Sequence, residues 1–226
     1  VFHDINFEHF PQDFPKIHLW HYKKFFPLYA KKATRILTVS EFSKNDICEC
    51  YGINPDKIDV AYNGDNEIFT PVSEDVKTET TNKYSEGNPY FMFVGSLHPR
   101  KNLARLFTAF DIFKKENKNN IKLVIVGEKK WWTEPIKNAY DAMTHKDDVI
   151  FAGRLSAEDL HLVTASALAS VYVSYFEGFG IPIVEAFKCD TPVITSNVTS
   201  MPEVAADAAL LVDPFDVNSI ADAMKK

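Results

Sequence analysis

Two acids and two cations carry the chemistry this sequence can do. Glu177 and Glu185 are separated by seven residues, and Gly178-Phe179-Gly180-Ile181-Pro182 runs between them. Glycines on both sides of Phe179 let the backbone come close to a ligand. Pro182 suits the opening of a helix, where its missing N–H is no loss. The free N–H groups at the start of that helix, together with its dipole, favour an anion such as phosphate. A carboxylate accepts from two vicinal hydroxyls, which suits a ribose or a hexose. Glu177 is expected before the helix and Glu185 on its first turn, both bordering one cleft, one at its mouth and one deeper. Arg100 and Lys101 are the second signal. Two cations at the start of a helix oppose its dipole. A diphosphate would offset them, taking a fork from Arg100 and a point charge from Lys101. Each signal has a plain alternative: a tight strand–helix turn with a capping acid, and a solvated surface pair.

The elements that must position these residues follow from the apolar pattern. Apolar runs at 90–95, 121–127, 148–153, 170–175, 191–196 and 209–213 alternate with helical stretches. Those stretches are 102–116, 134–144, 157–167, one from Pro182, a short one near 201–206 and one from Asp216. Short strands between helices imply a parallel sheet covered on both faces, a doubly wound α/β domain of six βα units. Right-handed crossovers bring every strand's C-terminal end to one edge, where ligands bind. That edge collects both signals and also Gly153-Arg154-Leu155. Before this domain, residues 1–4 read as the end of a strand, and 16–33 as a helix interrupted near Pro27. A strand at 35–40 leads to Ser40 as N-cap of a helix over 41–51, stopped by Gly52. A strand at 57–62 ends at Asn63-Gly64. The polar stretch 72–89 reads as a linker or surface excursion.

Composition narrows the class. The 226 residues are 46% apolar and 25% charged, the ordinary globular balance for one large domain or one and a half. The net charge of −6 disfavours a nucleic-acid partner. No apolar run approaches the roughly 18 residues of a membrane span. Cys48, Cys50 and Cys189 read as thiols of a reducing compartment. The Asn197-Val198-Thr199 sequon is a chance-level pattern. No G-x-G-x-x-G follows the strand at 90–95, and there is neither a P-loop nor a G-x-S-x-G elbow. His18 and His21 lack a third ligand, so no metal is expected. Trp131 and Trp132 could stack on a base or sugar, though packing is their commoner role. A start at Val1 and an end at Lys226 read as a piece of a longer protein.

At these residues the sequence resembles a known family. Glu177 and Glu185 framing GFGIPIVEA resemble the E-x7-E motif of retaining glycosyltransferases of the GT-B fold, in family 4, which includes many bacterial mannosyltransferases. GSLHPRKNL resembles the first loop of that family's C-terminal domain. TVSEFSKNDI and YNGDNEIF resemble segments near the end of its N-terminal domain, and VFHD resembles a strand there ending in His-Asp. The resemblance implies two Rossmann-like domains facing across a cleft. Residues 1–66 would be the C-terminal part of the N-terminal, acceptor-side domain. Residues 67–226 would be most of the C-terminal, nucleotide-sugar-binding domain.

The roles it implies are these. Arg100 and Lys101 hold the donor diphosphate, and Glu185 binds the ribose hydroxyls. Glu177 contacts the donor hexose near its anomeric carbon. Gly178, Phe179, Gly180 and Ile181 support sugar and phosphate. Arg154 and Leu155 border the base, and His3 approaches the sugar from the other domain. Ser96 stands where some relatives have Arg. The implied reaction moves a mannose-like hexose from a GDP- or UDP-linked donor to a saccharide or lipid-linked acceptor, with retention. The donor is a substrate, and neither metal nor cofactor is implied. The expected setting is cytoplasmic, with peripheral contact at the inner face of the membrane. This stretch by itself is expected to be inactive. The alternatives are a non-catalytic nucleotide-sugar-binding module and an epimerase or phosphorylase on the same fold.

Overall fold

Apolar runs that stop at a glycine or a polar residue become strands, and the stretches between them become helices. A computed structural model describes residues 1–64 and 66–226, and only the backbone of Trp131. The first elements are α1 (Asn6–His9), α2 (Lys16–Lys32), β1 (Ile36–Thr38), α3 (Glu41–Tyr51) and β2 (Ile58–Val60), with β1 and β2 paired in parallel. α3 begins and ends where its sequence dictates. The Ser43 N–H donates to Ser40 Oγ at 3.0 Å, and Gly52 closes the helix at φ 64°.

A second sheet follows. Its elements are α4 (Glu74–Ser85), β3 (Tyr90–Val94), α5 (Leu103–Glu116), β4 (Lys122–Val126), α6 (Glu134–Asp141), β5 (Val149–Gly153) and α7 (Ala157–Ala165). They continue with β6 (Ala169–Tyr172), α8 (Ile181–Lys188), β7 (Val193–Ser196), α9 (Met201–Ala205), β8 (Leu210–Val212) and α10 (Val217–Ala223). The six strands are parallel in the order β5-β4-β3-β6-β7-β8. Strand alternation splits the core between two faces. Phe91, Phe93, Leu123 and Ile125 join Leu106, Phe107, Phe110 and Ile220 on one side. Tyr90, Met92, Val124 and Val126 join Val163 on the other. Both faces are therefore covered, as continuous apolar strands require.

Several expectations need correction. Residues 1–4 form no strand; Phe2 N–H makes one bond, 2.8 Å to Leu37 O, alongside β1. α2 runs through Pro27 without a break. Lys23, whose carbonyl loses its helical partner to Pro27, is exposed, so water can take that bond. The polar stretch 72–89 is mostly the helix α4. Ser73 caps it, and Glu74 and Asp75 complement its dipole. Its one buried threonine, Thr80, satisfies its hydroxyl by donating to Val76 O. A helix with a polar cap and only a few apolar residues, Tyr84 among them, packed on the core shows little apolar periodicity, which hid it. Arg100 and Lys101 sit in a 3-10 turn, Pro99–Lys101, before α5 begins at Leu103. Glu185 is the fifth residue of α8, past its first turn.

Candidate functional site

The strand order places the site. From β3 the chain steps outward to β4 and β5, then returns to β6 on the other side of β3. The sheet reverses between β3 and β6, and the crevice beyond such a reversal is where α/β sheets bind ligands. The segment after β3 carries Arg100 and Lys101, and the segment after β6 carries Glu177. These two signals, 77 residues apart by position, meet there.

They meet as a buried ion cluster. Lys101 Nζ lies 2.7 Å from Glu177 Oε1 and 2.6 Å from Tyr172 Oη. Arg100 pairs with Glu177 Oε2, and its guanidinium also donates to Phe176 O at 3.2 Å. The Glu177 side chain is 8% exposed and that of Lys101 9%. Burial would raise the Glu177 carboxyl, but the adjacent Lys101 and Arg100 charges override it and hold it down at about 2. Burial pulls the Lys101 ammonium down, against the attraction of Glu177. Arg100 is raised: Glu177 outweighs its burial. The two cations expected to need an anion already have one, from the chain itself. The Glu177 carboxylate stays ionised and therefore only accepts hydrogen bonds.

The loop from Glu177 to Gly180 is clamped by serines. Ser40 Oγ donates to Gly178 O at 2.7 Å and Ser43 Oγ to the same oxygen at 3.2 Å. Ser200 Oγ reaches Glu177 O at 2.9 Å and Phe179 O at 2.8 Å. With the carbonyls so held, the N–H groups of Phe179, Gly180 and Ile181 have no protein acceptor among the described residues. The clamp also joins the two sheets. Glu203, on α9, receives the N–H groups of Glu41 and Phe42 at 2.8 and 3.0 Å, an anion at the N-terminus of α3. Gly178 is required by contact: a Cβ there would stand 2.3 Å from His3 O.

Two cavities open on this edge. One of about 270 Å³ is lined by His3, Asp4, Lys101, Tyr172, Glu177 and the Gly178–Pro182 stretch. The Asp4 carboxyl is raised by burial there. The other, of about 380 Å³, is lined by Ser96, Gly127, Glu128, Arg154, Leu155 and Leu160. Val94 and Gly95, at the end of β3, border both. Arg154 is exposed, 3.9 Å from Glu128 Oε1. Glu185 lines neither cavity. It is half-buried, and burial raises its carboxyl with no described cation to offset it. Trp132 packs against Phe107, Tyr140 and Phe151, so its role is packing; the side chain of Trp131 lies outside the described residues.

Sequence reasoning missed Tyr172, Asp4 and the serine clamp. Ser40 was legible as an N-cap, and the contact it shares with Gly178 spans 138 residues, so nothing local signals it. His-Asp beside the start of the chain was the one visible pointer to Asp4.

The sheet order, its reversal and the helix-start loop define a Rossmann-like domain. Solved structures agree on the fold. Anabaena Alr3699/HepE, solved with UDP and glucose, matches with a TM-score of 0.78 at 19% identity, over 94% of this chain and 57% of that one. WaaG, a glycosyltransferase involved in lipopolysaccharide biosynthesis, matches at 0.75 and 18%, over 99% and 64%. The chain belongs to the family of glycosyl transferases group 1, whose model matches residues 76–226; residues 1–66 match glycosyltransferase family 4. It is 33% identical over 222 residues to O-antigen chain mannosyltransferase B of Escherichia coli, covering 98% of this chain and 58% of the relative. It is 31% identical over 223 residues to O-antigen chain mannosyltransferase RfbU of Salmonella typhimurium, covering 99% and 58%. The chain thus spans 58% of the length of these two relatives.

Proposed function

We propose that this chain forms the donor-binding part of a retaining hexosyltransferase that moves a mannose-like sugar from a nucleoside diphosphate donor to a saccharide or lipid-linked acceptor. The observation that carries the reading is the Arg100–Glu177–Lys101 cluster at the sheet reversal, beside free N–H groups at the start of α8. The mannosyltransferase names of the relatives support the sugar. A structural neighbour solved with UDP-glucose supports the donor class. In this reading residues 1–66 belong to the acceptor-side domain and 67–226 to the donor domain.

The 380 Å³ cavity takes the base, with Arg154 and Leu155 at its border. The 270 Å³ cavity takes the sugar and phosphates. Arg100 and Lys101 turn from Glu177 toward the diphosphate as it enters, and Glu177 accepts from the sugar hydroxyls instead. Glu185 accepts from the ribose, and His3 faces the hexose. In the transfer, the bond from the anomeric carbon to the β-phosphate oxygen breaks while the acceptor oxygen bonds to that carbon on the same face. The acceptor proton passes to the departing phosphate. Arg100, Lys101 and the N–H groups of Phe179, Gly180 and Ile181 stabilise the charge that develops on that phosphate. The ionised Glu177 supports the positive anomeric centre. For residues 1–226 taken by themselves we expect donor binding without turnover, because donor and acceptor must be held together between two complete domains.

A peripheral membrane contact is part of the proposal. α2 carries Lys16, Lys23, Lys24, Lys31 and Lys32, no acid, and exposed Ile17 and Trp20. Stronger sedimentation with phosphatidylglycerol than with phosphatidylcholine vesicles checks it; equal sedimentation with both counts against it. No helix among the described residues is long and apolar enough to cross a membrane.

The test of the donor site is calorimetry with GDP, UDP, their sugars and the free nucleosides. Binding of a nucleoside diphosphate sugar is expected, and Lys101→Ala should weaken diphosphates far more than nucleosides. Equal loss for both would remove the phosphate assignment.

A further inference from the structure

Between α1 and α3 three side chains of metal-ligating type converge. His9 ends α1, and Asp46 and Cys50 stand four residues apart on α3, so they share a face. His9 Nε2 is 2.7 Å from Asp46 Oδ1, and Cys50 Sγ is 3.6 Å from that oxygen and 4.0 Å from the imidazole nitrogen. Among the described residues this is the group of three such ligand atoms that lies within 4.8 Å. Tetrahedral zinc with ordinary bond lengths holds its N and O ligands roughly 3.3 Å apart and S roughly 3.6 Å from either. The observed triangle differs from that by about half an ångström on its short side.

A hydrogen-bonded cluster that only ties α1 to α3 explains most of these contacts, but not all. The Asp46 side chain is 8% exposed, and its buried Oδ2 has no hydrogen-bond partner. His9 and Cys50 contact Oδ1, so an unpartnered buried Oδ2 is costly, and a cation held by both carboxylate oxygens would supply its partner. Glu8 and Glu49 add negative potential around Cys50. Lys23, which lines the same cleft as His9 and Cys50, is paired with Glu8 at 3.6 Å.

We propose that His9, Asp46 and Cys50 bind a divalent cation of the zinc type, with water as the fourth ligand. Imidazole, thiolate and carboxylate together suit that ion. Cys50 binds as thiolate, and its proton passes to solvent, so affinity rises with pH. The role is a pin and takes no part in the transfer. The His9 ring stacks on Phe176 with centroids 5.2 Å apart, and Phe176 precedes Glu177. The pin therefore holds the backbone that carries the ion cluster. The inference does not depend on the proposed function.

The experiment uses the 226-residue chain, stripped with a chelator and titrated with Co²⁺ in a spectrophotometer and with Zn²⁺ in a calorimeter. One saturable site is expected, with a thiolate-to-cobalt charge-transfer band. Cys50→Ser should abolish the band, and Cys48→Ser should leave it intact. His9→Ala and Asp46→Asn should each weaken Zn²⁺ by more than the about 10–100-fold that loss of an outer-shell partner costs. Absence of the band in the unsubstituted chain overturns the proposal whether or not any variant folds. So does an adventitious ion only, seen as binding that Cys50→Ser leaves unchanged.

Discussion

The two cavities that meet at Val94 and Gly95 are built by different physics. The 270 Å³ cavity is fixed by charge: Lys101 and Glu177 line it, and Arg100 pairs with the other oxygen of the same carboxylate, so one acid is shared by two cations. The 380 Å³ cavity is fixed by backbone shape and apolar walls, with Val94, Val126, Leu155 and Leu160 around it and Arg154 exposed at its border. Charge gives direction to a reacting group, because ionised partners set both its position and its protonation state. Shape gives fit to a flat ring but exerts little pull. Substitutions at the first cavity should therefore act on stability and chemistry together. Those at the second should act through sterics or hardly at all.

The largest expected effect is at Glu177. Glu177→Gln leaves the buried Lys101 and the partly exposed Arg100 without their counter-charge, and removing one partner of a buried pair costs about 3–5 kcal/mol. Urea unfolding measures it, and a loss under about 0.5 kcal/mol would erase the contrast. The same substitution sharpens the pH dependence. With its carboxyl at about 2 against an ordinary 4.5, Glu177 contributes stability that is full above pH 4.5 and is lost as pH falls toward 2. Asp111 and Asp148 are also held low by lysine partners, against the effect of their burial, so the informative quantity is the difference between wild type and Glu177→Gln. That difference should shrink across this window on acidification; a constant difference would mean the carboxyl is not held low.

Gly127→Ala probes shape in the second cavity. A Cβ there would stand 2.0 Å from Gly95 O, at a φ of +151°, so the backbone of one strand end must move. Overpacking of this kind costs about 1–3 kcal/mol. Base binding should fall with it, measured by calorimetry with a nucleoside. Glu185→Gln should weaken ribonucleotides by about 1 kcal/mol and leave 2′-deoxynucleotides unchanged. An equal effect on both would remove Glu185 from the ribose. Smallest is Arg154→Ala, whose exposed side chain should shift stability by no more than about 0.5 kcal/mol by urea titration.

Much of this site was legible before folding was considered. Glycines around Phe179 and the pair Arg100-Lys101 each carry a local reason for being where they are. The six-strand alternation then assigns both to one sheet edge, and the order β5-β4-β3-β6-β7-β8 agrees with it. α4 was missed because its sequence is polar, and it is held by its Ser73 cap and by packing against α7, β4 and β5 through few apolar residues such as Tyr84 rather than by a long apolar stripe. The pairing of Glu177 with both cations was missed because it depends on which strand follows β3 in space, and sequence order does not say so.

The sequence alone determined the alternating elements, the glycines that allow close approach and which acidic and basic side chains the strand ends bring to one sheet edge. These depend on local geometry and on side-chain chemistry, which neighbours in sequence decide. Only the tertiary structure decided that Glu177 is ionised, that Lys101 is buried beside it, and that Ser40, Ser43 and Glu203 tie the two sheets around the loop. Each of those properties is set by the distance and desolvation between groups many residues apart, and only the folded chain fixes either.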